Sequence, residues 1–249
     1  MKNENSALMI EGRNPVLEAF HAGKTVEKIY ILSGGKDSIL QKIIAQAKQQ
    51  GSTIHFVSQE RLSQLSSHKH QGVIAYTSEY HYVEFDDLLN LAKAKSEDPF
   101  LIFLDGVEDP YNLGAIIRTA NQAGVHGIVI PKRRAVGLTA AVAKASAGAI
   151  NYTPIARVSN LVSAIEQGKK AGLWFVCAET KGQSLYQLDL KGPIALVMGN
   201  EGDGVSRLIQ EKCDFIASIP SCGEIDSLNV SVATGIFTYE ILRQRTRSS

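Results

Sequence analysis

Three short segments of this 249-residue chain place amides, hydroxyls, carboxylates and an arginine at spacings that could handle a polar ligand. The first runs Asp105-Gly-Val-Glu-Asp-Pro-Tyr-Asn112-Leu-Gly114-Ala-Ile-Ile-Arg118-Thr-Ala120. Leu113, Ile116, Ile117 and Ala120 recur at i, i+3, i+4 and i+7, so the spacing predicts a helix that starts just after Asn112, buries that stripe and leaves Arg118 off it. An amide at a helix start and a free guanidinium could bind an oxyanion or polarise a hydroxyl. The same two residues would serve equally as a cap and a surface charge.

The second segment, Leu196-Val-Met-Gly199-Asn-Glu201-Gly202-Asp-Gly204, is an apolar strand running into a glycine-rich turn, followed by an expected helix from Val205 to Lys212. Glycines there would let a ligand approach the backbone, although tight connections use glycine too. The order G-x-x-G-x-G is not the dinucleotide fingerprint G-x-G-x-x-G, and no Gly-Lys-Ser/Thr follows for a phosphate loop. The third segment, Ile219-Pro220-Ser-Cys-Gly223-Glu-Ile-Asp-Ser227-Leu228-Asn229-Val230-Ser231, crowds hydroxyls and an amide into the start of a helix expected to run through Leu242. One of these groups would suffice as a cap; three at one place suggest a ligand.

The elements that must position these segments alternate. Expected strands at Phe100 to Leu104, Gly127 to Ile130, Leu173 to Ala178, Ile194 to Met198 and Phe215 to Ile219 are separated by helices starting near Leu113, Thr139, Ser159 and Gly204, which predicts an α/β domain with a parallel sheet over residues 100–249. Ligands of such sheets gather beyond the carboxyl ends of the strands, where all three segments begin. Upstream, a helix over Glu11 to His21, strands at Lys28 to Leu32, Thr53 to Val57 and Gly72 to Tyr76, and a helix through Ile39, Ile43, Ile44 and Ala47 ending at Gly51 predict a small α/β unit over residues 1–76. Residues 77–99 are polar and weakly periodic and read as a linker, with room for a helix from Phe85 to Ala94.

Composition narrows the class. The longest apolar runs are strand-sized, far below the roughly 20 residues that span a bilayer, and the polar start Met1 to Ala7 carries no export signal, so the expected location is the cytoplasm. Cys177, Cys213 and Cys222 are odd in number and lack C-x2-C pairing, which predicts reduced thiols and no metal site. A net charge of +1 is too small to argue for nucleic acid by itself. Any such surface must be local, and the candidates are Arg13, the His68-Lys69-His70 stretch, the Lys132-Arg133-Arg134 triplet and the tail residues Arg243, Arg245 and Arg247. Each run taken alone is more often a solvated face.

Taken in order, Asn112-x-Gly114-x3-Arg118-Thr-Ala, Met198-Gly-Asn-Glu-Gly202 and Ile219-Pro-x6-Ser227-Leu-Asn-Val-Ser-Val-Ala resemble the three motifs of the SpoU (TrmH-like) RNA ribose methyltransferases of the SPOUT superfamily. Upstream, Ile10-Glu-Gly-Arg-Asn-Pro-Val-Leu-Glu-Ala and His70-Gln-Gly-Val are similar to the ribosomal-protein-like RNA-binding domain fused to that fold in bacterial 23S rRNA guanosine 2′-O-methyltransferases. The resemblance implies a deep C-terminal trefoil knot, a homodimer with its active sites near the interface, and S-adenosyl-L-methionine bound through Gly199, Ile219 and Leu228. It implies transfer of a methyl group to a ribose 2′-hydroxyl of RNA, with 23S rRNA as the expected partner.

Within that reading Arg118 matches the family's catalytic arginine. A guanidinium has a pKa above about 12 and is a poor literal base. Arg118 is therefore expected to bind the phosphate beside the target ribose and polarise the hydroxyl, the proton leaving to that phosphate or to water. Asn112 would hold the ribose or Arg118, Glu201 would orient Arg118 or the cofactor, and Ser227 and Asn229 would shape the acceptor site. Alternatives are a tRNA or other rRNA 2′-O-methyltransferase, a non-catalytic RNA-binding member of the same fold, and a dinucleotide oxidoreductase using Glu224 or Asp226, against which the glycine order argues.

Overall fold

The computed structural model describes residues 8–34, 37–66, 70–77, 80–224 and 227–246. The start Met1 to Ala7, His68, Lys69, Ile225, Asp226 and Arg247 therefore lie outside the described residues. The chain divides into two units, residues 1–81 with 137–140, and residues 82–136 with 141–249.

In the first unit, β1 (Leu8–Glu11), α1 (Arg13–His21), β2 (Val26–Leu32), α2 (Ser38–Gln50), β3 (Thr53–Val57), α3 (Gln59–Leu65) and β4 (Val73–Thr77) form a sheet of order β1-β4-β2-β3. The pairs β1·β4 and β4·β2 are antiparallel and β2·β3 is parallel. Val16 and Phe20 of α1 and Leu40, Ile43 and Ala47 of α2 close one face over Ile29, Ile31, Val73 and Ala75. Sequence patterning missed β1 because four residues are too few to display a period. Asp37 caps α2 by accepting from the Ile39 and Leu40 N–H groups, and Gly51 ends it at φ 80°.

The second unit contains α4 (Phe85–Ala94), β5 (Phe100–Asp105), α5 (Pro110–Gln122), β6 (Gly127–Pro131), α6 (Ala140–Ala145), β7 (Ile155–Val158), α7 (Leu161–Lys170), β8 (Trp174–Ser184), β9 (Ile194–Gly199), α8 (Arg207–Gln210), β10 (Phe215–Ser218) and α9 (Val230–Thr246). Its six strands are all parallel in the order β10-β8-β9-β5-β6-β7. The central strands β5 and β9 are buried on both faces, which is why they read as unbroken apolar runs. Leu101 and Phe103 face a cluster with Phe85, Leu88, Leu161, Ile165, Val205 and Ile209, so α4, α7 and α8 cover that side. On the other side α5 buries Leu113, Ile116, Ile117 and Ala120, as its spacing predicts.

Two expectations are corrected. Residues 77–99 are not a free linker: Phe85 and Leu88 of α4 are buried in the core of the second unit, Phe85 edge-on to Phe103 at 5.8 Å. The helix itself has the bounds expected from the sequence; its short apolar stripe is obscured by the acidic start at Asp86 and Asp87, which suits the dipole of its first turn. The helix expected over Val205 to Lys212 is regular only from Arg207 to Gln210, because Val205 dips into the core.

Two polar anchors, one half-buried and one buried, tie α9 and β6 to the start of the sheet. Arg245 donates to the carbonyl oxygens of Asp98, Pro99 and Gly192 and lies 5.0 Å over the Phe100 ring. His126, 1% exposed, accepts the Phe100 N–H at Nδ1 (3.0 Å), which leaves Nε2 to donate to Glu97 (3.0 Å). Burial pushes the imidazole below its ordinary value of 6.5, against the pull of Glu97. The unfolded chain takes up a proton near 6.5 that the folded ring refuses, so this contribution to stability is full above that value and is lost as pH falls through the folded pKa. Urea unfolding followed from pH about 7.5 to about 5.5 should show the loss, and His126→Asn should flatten that part of the profile while lowering stability at neutral pH.

Candidate active site at the rim of the parallel sheet

The three polar segments meet at the carboxyl ends of β5, β9 and β10. Asp109 caps α5, accepting from the Asn112 N–H at 2.8 Å, with Pro110 at the first helical position. The Asn112 side chain is thereby set at the mouth of the sheet, half-buried. Its Nδ2 donates to Glu201 Oε1 at 3.2 Å, and its Oδ1 accepts from Asn229 Nδ2 at 2.9 Å. Asn229 Nδ2 also donates to Glu201 Oε1, which closes a triangle across all three segments. The remaining oxygen of Asn229 accepts from the Ser231 and Val232 N–H groups (3.0 and 3.3 Å) and from Ser231 Oγ (2.6 Å), so one side chain caps α9 and bridges to α5.

The turn after β9 is shaped by its own backbone. Asn200 Oδ1 accepts from the N–H groups of Gly202 (2.9 Å) and Asp203 (2.6 Å), and Gly204 turns back at φ 67°. A Cβ on Gly199 would lie 2.0 Å from the carbonyl carbon of Gly204. That glycine is therefore required by contact between two stretches of the same backbone, whatever else approaches it. The turn is fastened to β5 where Asp105 accepts the Ser206 N–H at 2.8 Å, and to β8 where Glu179 accepts the Val205 N–H (3.0 Å) and the Gln210 amide (2.9 Å).

Of the residues expected from sequence, Asn112, Glu201 and Asn229 are brought together, and Gly199 closes the turn that carries Glu201. Ile219 is half-buried just past β10, Leu228 is 48% exposed, and Ser227 is exposed beside it. Arg118 is not joined to them: its side chain is exposed on α5, and Glu201 bonds the two asparagines instead. Six residues along a helix amount to a turn and two-thirds, which takes Arg118 round from the face that Asn112 occupies. Sequence reasoning overlooked Asp105, Glu179 and Asn200 as the fasteners of the rim. Their signal was position, since each is the first polar residue past an apolar strand in a parallel sheet or heads an Asn-x-Gly turn.

The basic runs sort differently from expectation. Arg13 is held by Asp37 (2.8 Å) and the Gln71 carbonyl (2.9 Å), and the His70 ring is buried and accepts from the Gly72 N–H. Arg243 pairs with Glu240 (2.6 Å), and Arg245 is bound to three carbonyls. These four are structural. The cysteines are free: Cys177 is buried, and its thiol is pushed up by the neighbouring Cys213 and by burial.

Residues 99–239 match the SpoU rRNA Methylase family, and residues 9–83 match a substrate-binding domain described for RNA 2′-O ribose methyltransferases. YacO of Bacillus subtilis (strain 168), assigned to the TrmH family of tRNA/rRNA methyltransferases, is 46% identical over 235 residues, 94% of each chain. The AdoMet-bound rRNA methyltransferase from Sinorhizobium meliloti is 27% identical, aligning over 95% of this chain and 87% of its own with a TM-score of 0.59. The A. aeolicus TrmH/SpoU tRNA modifying enzyme is 31% identical, aligning over 66% of this chain and 84% of its own with a TM-score of 0.56.

The double use of Asn229 makes a measurable expectation. Asn229→Ala should cost about 1 to 2 kcal/mol by removing a cap and two bridges. Asn229→Asp should keep the cap, lose the donors and set a second carboxylate against Glu201. Its deficit in urea unfolding relative to the parent should be largest near neutral pH and shrink as pH falls and one carboxylate takes up a proton.

Proposed function

This chain belongs to the SpoU rRNA methylase family, and from that footing we propose that it methylates the ribose 2′-hydroxyl of a guanosine in 23S rRNA, as a homodimer in the cytoplasm, on a catalytic fold carrying the family's trefoil knot. The observation that carries the reading is the hydrogen-bonded triangle of Asn112, Glu201 and Asn229, which unites three segments far apart in sequence at the ligand-binding rim of the sheet. Support for rRNA over tRNA comes from coverage. The rRNA methyltransferase aligns over 95% of this chain, whereas the tRNA modifying enzyme aligns over 66%. The first unit, matched to a substrate-binding domain, is assigned the reading of the RNA.

The rim fits S-adenosylmethionine by its chemistry. Leu228, apolar yet 48% exposed, and half-buried Ile219 offer a surface for an adenine ring, and the Glu201 carboxylate suits a sulfonium cation. Gly199, Ile219 and Leu228 are the residues assigned to hold it. When bound, the cofactor supplies an activated methyl group for in-line transfer to oxygen.

The chain's own residues then have to present a ribose and deal with one proton. Glu201 fixes the Asn112 and Asn229 amides, so that Asn112 presents an oriented amide to the ribose and Asn229 and Ser227 border the acceptor. Arg118 has no partner among the described residues, and α5 and α9 also expose Tyr111 (70%), Val232 (51%) and Tyr239 (50%). A partner docked on that face would cover the apolar groups and bring Arg118 to an active site near the interface. There it would clamp the phosphate beside the target and polarise the hydroxyl, with the proton passing to that phosphate or to water.

Arg118→Ala should keep the fold and the donor affinity while slowing single-turnover methylation by on the order of 10² to 10³, about 3 to 4 kcal/mol, and Arg118→Lys should recover little. A rate within a few-fold of the parent, or a defect confined to donor binding, overturns the role. Nucleoside mapping of RNA from a deletion strain names the target: a missing 2′-O-methylguanosine in 23S rRNA supports the reading, and a missing methyl in tRNA replaces it.

A further inference from the structure

One group of cations singled out in the sequence remains unabsorbed. Arg13, Arg243 and Arg245 are spent inside the fold, and Lys132 has contacts of its own. Arg133 and Arg134 are exposed and, among the described residues, make no hydrogen bond or ion pair. They follow β6 and line a cavity of about 210 Å³ at the sheet rim together with Asp105, Pro131, Asn160 and Ser206. Arg134 holds φ at 56°, a left-handed conformation that an arginine enters at a cost.

The cavity and the asparagine–glutamate triangle stand on either side of one turn. Glu201 reaches the triangle, and Ser206, five residues on, walls the cavity while its N–H is held by Asp105. The α7 amides do not supply the positive field, because Asn160 Oδ1 already accepts from Val162 and Ser163. The one carboxylate in the lining, Asp105, is partly offset by the Ser206 N–H that it accepts, so two unpaired guanidinium groups dominate. Such a lining selects an anion with several acceptor oxygens, which both forks can grip.

We propose that this cavity receives one phosphodiester of the RNA strand that flanks the target ribose, gripped by Arg133 and Arg134, and that it fixes how the strand crosses the rim. The proposal rests on the methyltransferase reading above. It assigns Arg133 and Arg134 as positioning residues, since a backbone contact orients the strand without reading sequence or touching the reacting atoms.

The test uses the full-length protein and a short mixed-sequence single-stranded RNA, because a phosphate contact is indifferent to sequence. The Arg133→Gln/Arg134→Gln double variant should bind about tenfold more weakly, and its slope of log affinity against log salt should be shallower by about 0.7, one phosphate's worth. Affinity for S-adenosylmethionine should stay within twofold, while methylation of cellular RNA at subsaturating concentration should fall in step with the lost RNA affinity. Arg134→Gly relieves the left-handed backbone as it removes the cation, so it should lose RNA affinity with melting temperature unchanged or raised. Unchanged RNA affinity, loss of donor affinity, or a parent that binds no RNA overturns the proposal. So does a rise in the parent's melting temperature with inorganic phosphate at matched ionic strength that needs both arginines, which would mark a site for the free ion. A parent that binds RNA through these arginines yet methylates no RNA extracted from a deletion strain would sink the methyltransferase reading and leave the phosphate site standing.

Discussion

The rim depends on a backbone contact that admits no side chain. Gly199 ends the central strand β9, and Gly204 folds back over it so closely that even a methyl group would collide with the returning chain. Every other fastening presupposes that closure. Asn200 can span to Gly202 and Asp203, Glu179 can meet Val205 and Asp105 can meet Ser206 only if the turn is this tight. Glu201 hangs from the middle of the turn, so the position of its carboxylate is inherited from a steric exclusion five residues wide. The glycine-rich spacing is thus explained by the fold's contact with itself, and a ligand would exploit a shape that is already obligatory.

Much of this was legible in the sequence, for identifiable reasons. The α5 stripe was readable because four apolar residues at helical spacing admit one face, and β5 and β9 because strands buried on both faces leave no polar alternation. Asn112, Glu201 and Asn229 stood out as polar residues just past strand ends. What stayed hidden depends on partners far along the chain. Nothing local in Asn229 says that its oxygen caps α9 while its nitrogen bridges to α5, nor that Glu201 serves the two amides and leaves Arg118 alone. Short pieces such as β1 and β7 show no period, and α4, although legible as a helix, reads as part of a linker because its acidic first turn conceals the buried Phe85 and Leu88.

The arginines illustrate how little residue type alone conveys. Arg245 and Arg134 look equally solvent-bound in the sequence. One donates to three carbonyls and stacks on Phe100, while the other, among the described residues, has no partner and sits at a left-handed backbone position. The difference comes from what the sheet sets beside each. Carbonyls just before β5 and β9 converge within reach of one side chain, and Arg245 donates to all three. The opposite rim satisfies its own polar groups through asparagines and carboxylates, which leaves its arginines available. A chain with nearly balanced charge can in this way hold one locally cationic recess without a basic surface overall.

The strand order has a consequence for how the protein is made. Leaving aside its 137–140 segment, the first unit has its four strands by Thr77, and its pairs join neighbours such as Lys28 and Thr53. The second sheet has β5 beside β9 at its centre, Phe100 opposite Ile194, so its two most buried strands cannot meet until nearly the whole chain exists. β5 can pair with β6 once Pro131 exists, but closing the longer loop to β9 makes completion of the sheet slow, and the other edge of the apolar β5 must wait unpaired in the meantime. During synthesis the amino-terminal unit can settle early, whereas the sheet that bears the chemistry assembles late. Partial chains ending before Ile194 would carry the first unit alone in folded form, tethered to an exposed and aggregation-prone strand.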